Sequence, residues 1–291
     1  MTEQLEHLIR LLRTWPGWAL VPFFAFMGVF LVAPAISIFT ATFGLGGPHP
    51  TLATITQLWQ SVYQQANLAT FELSFVSSLT STVAGLLIVW AVIELRSVGW
   101  LRNTLTTFCA VTANFAGIPL AFAFVATLGV QGVFTQFLLT YLHLNIYSLG
   151  FSLTNLIGLG VVYSYFQIPL ATILTLPVVD HIKAEWREAA SSLGSTSLRY
   201  WLRVGIPIVA PVAIGNSALL FANAFTAYAT PYALVAGVIP LLPLEAGAFL
   251  SGNVSTNVNM GQALALDMMV VLSLTFIIFV RSQRRMAQWL S

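Results

Sequence analysis

Charge is what this chain has least of. Its 291 residues include 11 Lys and Arg and 9 Asp and Glu, 7% together, where a soluble domain carries about 25%. Hydrophobic residues make up 58%, more apolar surface than a water-soluble interior could absorb, so the solvent is lipid. Cysteine is nearly absent too. The single Cys109 excludes an internal disulfide and a multi-cysteine metal site. The four histidines, His7, His49, His143 and His181, are far apart and match no metal-ligand spacing, so no metal is expected. Lysine occurs once, as Lys183 after Ile182. No Gly-Lys-[Ser/Thr] phosphate loop exists, and the chain has no such ATP site of its own. A net charge of +2 is too small to favour nucleic acid as a partner. No Ser-His-acid set is implied, so the chain reads as a non-enzyme whose chemistry is conformational.

What is there is a series of long apolar runs. Six spans are expected at about 18–39, 69–93, 104–128, 152–178, 207–229 and 260–280, each near the roughly 20 residues a helix needs to cross the hydrocarbon core. The expected fold class is therefore all-α, a polytopic membrane protein with six transmembrane helices. Before them, residues 1–16 read as a short amphipathic helix. Leu5, Leu8, Ile9 and Leu12 fall at helical spacing beside Arg10 and Arg13, an anchor for the lipid interface. Segment 17–67 holds the first span and a Gly/Pro-containing loop, 68–281 a five-span core, and 282–291 a polar tail. The first span is too long for a signal-peptide core and is read as retained. Gly117 and Pro119 interrupt the third span. Residues 129–150 suggest a surface-lying helix, and 231–259 a Gly/Pro-rich, partly re-entrant connection.

Six spans put both termini and two loops on one side. That side holds Arg10, Arg13, Arg96, Arg102, Lys183, Arg187, Arg199, Arg203, Arg281, Arg284 and Arg285, all 11 basic residues. The positive-inside rule places this side, with both termini, in the cytoplasm.

The longest water-loving stretch is 180–207, DHIKAEWREAASSLGSTSLRYWLRVGIP. Residues 181–193 contain good helix formers and no Gly or Pro. Gly194 permits a bend, 195–203 form a second helix, and Pro207 opens the fifth span. Trp186 offers an aromatic anchor, Arg187 and Glu188 ion-pair handles, and Ala189 and Ala190 room for close approach. Glu188-Ala189-Ala190, three residues, Gly194, nine residues, then Val204-Gly205-Ile206-Pro207 resembles the signature of the membrane-spanning subunits of ABC-type importers. That signature is Glu-Ala-Ala, three residues, Gly, nine residues, Ile-x-Leu-Pro. Val204 and Ile206 are mild departures.

The resemblance implies that 180–206 is a cytoplasmic coupling loop between spans four and five. It would fit a cleft on a cytoplasmic ATP-binding subunit, present as a dimer that carries the ATP and Mg. Glu188, Ala189, Ala190, Gly194 and Pro207 are the residues this assigns to coupling. It also implies a second homologous permease subunit, an extracytoplasmic solute-binding protein and a multi-pass location in a bacterial inner membrane. Within the family, 227–234 followed by 259–270 looks most like permeases for spermidine and putrescine, and their relatives for 2-aminoethylphosphonate, iron and thiamine. The implied cargo is a small polar solute, a polyamine or aminoethylphosphonate.

Polar residues inside spans are costly and therefore suspect. Asn114, Asn216, Asn223 and Asp267 are the pathway candidates; Asn216 and Asn223, seven apart, share a helical face. Glu72 sits near the outer end of the second span, Tyr163, Tyr165 and Gln167 cluster in the fourth, and Glu245 falls in an external loop. The competing reading of the asparagines is interhelical hydrogen bonding. The alternative function is an ion-coupled secondary transporter using Asp267, although the halves show no convincing repeat. A scaffold without transport leaves the spacing of the 180–207 loop unexplained.

Overall fold

The computed structural model describes residues 20–44, 53–94, 99–180, 184–250 and 258–290. The amphipathic helix expected over 1–16 lies outside the described residues, as do Arg96, His181 and Lys183. Among the described residues every regular element is helical. Six stretches are long and apolar enough to cross a membrane: Val21–Thr42, Ser61–Ile93, Ile118–Leu142, Leu156–Asp180, Trp201–Phe225 and Asn259–Arg285.

In chain order the helices are α1 (Val21–Thr42), α2 (Ala53–Gln57), α3 (Ser61–Glu94), α4 (Gly99–Asn114), α5 (Ile118–Leu128) and α6 (Val133–Leu142). Then come α7 (Leu156–Asp180), α8 (Ala184–Ser192), α9 (Ser197–Tyr200), α10 (Ile206–Phe225), α11 (Ala229–Val235), α12 (Leu242–Leu250) and α13 (Val258–Leu290).

The centre of the bundle is the pair α3 and α7, which make the most extensive contact between any two helices. They run in the same direction: Leu73 meets Gly160, and Gly85 meets Ala171 and Thr172. The approach is close because α3 turns a row of small polar residues inward. Thr70, Ser74, Ser77, Ser78, Ser81 and Thr82 are all buried. Several bond back to carbonyls of their own helix, as Thr70 Oγ1 does to Ala66 (2.7 Å) and Thr82 Oγ1 to Ser78 (2.8 Å). Small residues of this kind let helix backbones approach where lipid removes the hydrophobic drive for association.

α10 packs antiparallel on this pair and on α13. Phe71 of α3 meets Phe221 near one end. Phe221 and Phe225 pack with Met260 and Leu264 there, while Ser282 donates to the Pro211 carbonyl near the other. Two buried side chains tie α7 to α10. Asn216 Nδ2 donates to Thr175 Oγ1 at 3.0 Å, and Gln167 Nε2 to the Leu220 carbonyl at 3.3 Å. The first span stands apart. It touches α13 through its second half, and none of its residues 21–32 is buried.

The third span keeps close to the expected 104–128, although its most apolar stretch lies further on. Hydropathy places the apolar stretch at Ile118–Leu142, which is α5 with α6. Packing shows a different unit. Arg102 pairs with Asp180, Phe115 and Phe124 both abut Tyr165, and Leu120 is buried with Leu159 and Tyr163. So α4 continued by α5 runs antiparallel along the whole of α7. The break between them is at Gly117, whose φ of 78° and ψ of −151° fall in a region essentially reserved for glycine. Pro119 then starts α5, where its missing N–H costs nothing.

A break at membrane depth frees backbone polar groups, and these need partners. Thr230, buried on α11, supplies both. Its Oγ1 accepts from the Gly117 N–H at 3.0 Å and donates to the Gly117 carbonyl at 3.3 Å. Thr230→Val removes both bonds and should destabilise the protein by about 1–3 kcal/mol, the cost of leaving a buried polar group unpaired. Thr230→Ser should retain most of the stability. Thermal melting of the purified variants in detergent checks this; equal melting of wild type and Thr230→Val would refute the staple.

The fifth span also starts earlier than the expected 207. Residues 201–205 form a single π turn that joins α9 to α10 without a break, and the Ile206 N–H bonds to the Trp201 carbonyl. Pro207 has no N–H to return to Arg203, and the wider turn ahead of it absorbs the missing bond. Gly205 makes room for the Trp201 ring, which lies where a Cβ would be.

Candidate functional site

Beyond α7 the polar segment forms α8 and bends at Gly194, and the second helix expected over 195–203 is the short α9 running on through the π turn into α10. α8 carries the Glu-Ala-Ala residues and ends in a two-bond cap. Ser195 N–H reaches the Ala190 carbonyl at 3.0 Å and Gly194 N–H the Ser191 carbonyl at 2.9 Å. This is the Schellman arrangement, which needs a left-handed residue one position past the helix end. Gly194 supplies it, with φ of 73°. The spacing of the motif follows from this geometry: Ala190 is the third-from-last helical position and Gly194 the residue beyond the cap. Thr196 then caps α9, its Oγ1 accepting from the Arg199 N–H at 3.4 Å as N-cap threonines do.

The result is a short helix with a fixed exit and an open face. Glu188 and Ala189 are exposed, Ala190 and Trp186 half-buried. The Arg187 side chain lies outside the described residues. Nothing lies within 4 Å of where a Cβ on Gly194 would stand. Leu193, between the motif residues, is 88% exposed. Sequence reasoning passed over it, yet the signal was there: an apolar side chain set immediately before the bend in an otherwise polar run. An exposed apolar knob beside small residues and a glutamate is chemistry for docking a protein surface.

Near this end of the bundle Arg102 and Asp180 form a salt bridge, each partly exposed, that ties the start of α4 to the end of α7. Each charge sits at the helix terminus where the dipole disfavours it, so the pair compensates both. Pro207 lies just past the π turn on α10 and faces outward.

The pathway candidates separate. Asn216 is 2% exposed and spends its amide on Thr175. Asn223, two turns further along the same face of α10, is exposed. The shared helical angle therefore does not give a shared environment: α7 covers one and not the other. Asn114 is also exposed, at the last turn before the Gly117 break, its Nδ2 donating to the Ala110 carbonyl at 2.8 Å. Asp267 on α13 accepts from Asn67 Nδ2 of α3 at 2.7 Å. Glu72 is exposed, Gln167 and Tyr163 are buried in the α7 interfaces, and Tyr165 sits between Phe115 and Phe124. Among the described residues no three His, Cys, Asp or Glu side chains gather as a metal site.

At the far end of α10 from α8 and α9, α11, the turn after it and α12 enclose a second feature. Tyr228 and Tyr232 stack with ring centroids 5.3 Å apart. They line a cavity of ≈ 440 Å³ together with Gly237, Val238, Pro240 and Glu245. Burial pushes the Glu245 carboxyl above its ordinary range.

No protein-family model matches the chain. It is 29% identical over 173 residues to the sulfate transport system permease protein CysT of Salmonella typhimurium (strain LT2), covering 57% of this chain and 58% of that one. It is 29% identical over 195 residues to the thiamine transport system permease protein ThiP of Escherichia coli (strain K12), covering 62% of this chain and 33% of that one. The match thus spans little more than half, or a third, of the relatives' own length. In fold it is similar to a chain in the crystal structure of a bacterial ABC transporter involved in the import of the acidic polysaccharide alginate. The TM-score is 0.70 and the identity 17%, over 96% of this chain and 99% of that one. By sequence over somewhat more than half its length the chain is similar to sulfate and thiamine transport permease proteins, and by fold over nearly its whole length to a chain of an alginate-importing ABC transporter.

Proposed function

We propose that the chain is the permease subunit of an ATP-driven importer, forming half of a translocation pathway. One observation carries the reading: α8 presents Glu188, Ala189 and Leu193 on an open face, with an exit held by the Gly194 cap. Such a surface fits a cleft on a cytoplasmic ATP-binding subunit and transmits its movement, through α9 and the π turn, straight into α10. Continuity matters here, because a helix without a joint passes on a push that a flexible link would absorb. The basic end of the bundle faces the cytoplasm by the positive-inside rule. ATP and Mg belong to the partner.

Exposed asparagines support a pathway shared with a second permease subunit. Asn114 and Asn223 face outward on spans that lipid would otherwise bathe, and polar groups at that depth need a wet cavity or another chain against them. Asn216, already bonded within the bundle, serves packing. An external solute-binding protein would deliver the cargo.

The cargo is a small solute bearing an ammonium group; polyamines fit this better than 2-aminoethylphosphonate, whose phosphonate also carries negative charge. The support is the charge distribution. Glu72, Glu245 and Asp267 lie toward the end opposite α8, and the positive-inside rule assigns the 11 basic residues of the sequence to the other. Relatives named for sulfate or for an acidic polysaccharide carry anions; this chain places no Lys or Arg where an arriving anion would meet it. Asp267 is the residue an ion-coupled carrier would use, but its Oδ2 already holds Asn67.

The test is gentle-detergent purification from the native membrane with mass spectrometry of everything retained. An ATP-binding subunit is expected in the complex. Recovery of the active chain alone would overturn the importer reading and move Asp267 to the front.

A further inference from the structure

The cavity between α11 and α12 is built more carefully than a surface dimple. Three groups converge on it. Tyr228 and Tyr232 present stacked rings, 40% and 51% exposed, so π surface is open to a visitor. Glu245 lines the same space, and its carboxylate has neither an ion-pair nor a hydrogen-bond partner among the described residues. Tyr63 of α3 lies close enough to feel the Glu245 charge. The rings are held in place: Gly247 lies under Tyr228, where a Cβ would come 2.5 Å from Cε2 and 3.1 Å from the hydroxyl. On the other side of α11, Thr230 is bonded to the break in the third span. Gly237, with φ of 76°, closes the turn that forms the floor. The volume of ≈ 440 Å³ is in the range of small-molecule sites, about 300–1,000 Å³.

A half-buried carboxylate with no cation beside it costs solvation free energy. No Lys or Arg occurs from residue 104 to 182 or from 204 to 280, so the chain supplies no counter-charge at this end. Aromatic faces beside an unpaired carboxylate are the chemistry that recognises a substituted ammonium ion: the rings attract the spread positive charge and the carboxylate supplies the net charge.

We propose that this cavity is a recognition subsite for an organic ammonium ion, with Glu245 as its counter-ion and Tyr228 and Tyr232 as its cation–π surface. The assignment rests on the importer reading for its meaning, since it makes the site the first contact of a cationic cargo on the side where it arrives. It does not need the ATP-binding subunit in order to bind. Sulfate and other anions are refused by the same groups.

Binding should also depend on pH. The ligand needs Glu245 ionised, and burial raises the pH at which the carboxyl takes up its proton. The facing titratable groups are the phenols of Tyr63, Tyr228 and Tyr232. Affinity should therefore fall on acidification at a higher pH than an exposed carboxylate would give.

The experiment is isothermal titration of the full chain, purified with whatever subunits accompany it, in nanodiscs without nucleotide. The probes are tetramethylammonium, spermidine, thiamine and sulfate. Wild type should bind at least one ammonium probe and not sulfate. Glu245→Gln and Tyr232→Leu should each weaken that binding about tenfold or more, with Glu245→Asp intermediate, and size-exclusion profiles should match wild type. Absence of ammonium binding, or binding equal in wild type and Glu245→Gln, overturns the subsite. Glu245→Gln is nearly isosteric, so the test survives even if Tyr232→Leu does not fold. The two readings fail separately. Loss of ammonium binding in the variants with no ATP-binding subunit recovered would keep the subsite and remove the importer. An intact complex that binds no ammonium would do the reverse.

Discussion

Gly194→Asp is expected to abolish uptake while leaving the amount of protein in the membrane at the wild-type level. The substitution is aimed at docking and spares the fold. Gly194 sits at φ of 73° with open space around it, so a new side chain meets nothing inside the chain. Aspartate is among the few residues that tolerate the left-handed region, and the backbone strain is about 1 kcal/mol, too little to unfold a protein of this size. On the docking face the change is large. A charge and added bulk appear beside Leu193, which is 88% exposed, at the point where the partner's surface would close. Desolvating an unpaired carboxylate there costs several kcal/mol. Uptake of labelled solute, normalised to membrane abundance by immunoblot, decides the matter; normal uptake would sink the coupling role of this bend. Leu193→Asp should behave alike for the same reason.

Gly85→Leu is expected to do the opposite and remove the protein from the membrane. Gly85 faces α7 where the two helices lie close together. A Cβ there would lie 2.6 Å from Ala171 Cβ and 3.1 Å from the Thr172 nitrogen. The obstacle is largely backbone, so no rotamer change relieves it. Overpacking a well-packed interface costs about 1–3 kcal/mol for small insertions, and a leucine forces the two central helices apart over their whole contact. That would also strain the Asn216–Thr175 and Gln167–Leu220 bonds between α7 and α10. Gly85→Ala should show a smaller loss. Abundance in the membrane and melting temperature measure it, and wild-type abundance of Gly85→Leu would show that α3 and α7 are not held at this distance.

These two glycines mark the difference between what the order of residues says and what the fold adds. The six apolar stretches, the one-sided placement of the basic residues and the Glu188-to-Gly194 spacing are local properties. Each depends on a helix's length, a loop's composition or a cap's geometry, and a linear sequence records such things fully. Even the row Thr70, Ser74, Ser77, Ser81, Gly85 was legible, since small residues recurring at helical spacing mark a close-packed face. The joint at 201–205 was half legible. Pro207 announces an irregularity, but whether the chain bends into a separate helix or widens by one π turn depends on Trp201 settling over Gly205.

The rest required the chain to fold back on itself. The third span was expected near its observed place, but how α4 and α5 line up along α7 is set by Arg102, Phe115 and Phe124 finding partners there. Asn216 and Asn223 look alike in sequence and part company because one lies under α7. Glu245 reads as an ordinary loop acid until Tyr228 and Tyr232, pinned by Gly247 and Thr230, are brought beside it. By itself the sequence determined the apolar stretches, their number and the bend at Gly194, because those follow from transfer free energies and local backbone geometry. Only the tertiary structure decided which polar groups are spent on packing and which are left open for a ligand or a partner. Burial and pairing are properties of neighbours, and neighbours here are 41 residues apart at Thr175 and Asn216, 113 at Gly117 and Thr230, and 200 at Asn67 and Asp267.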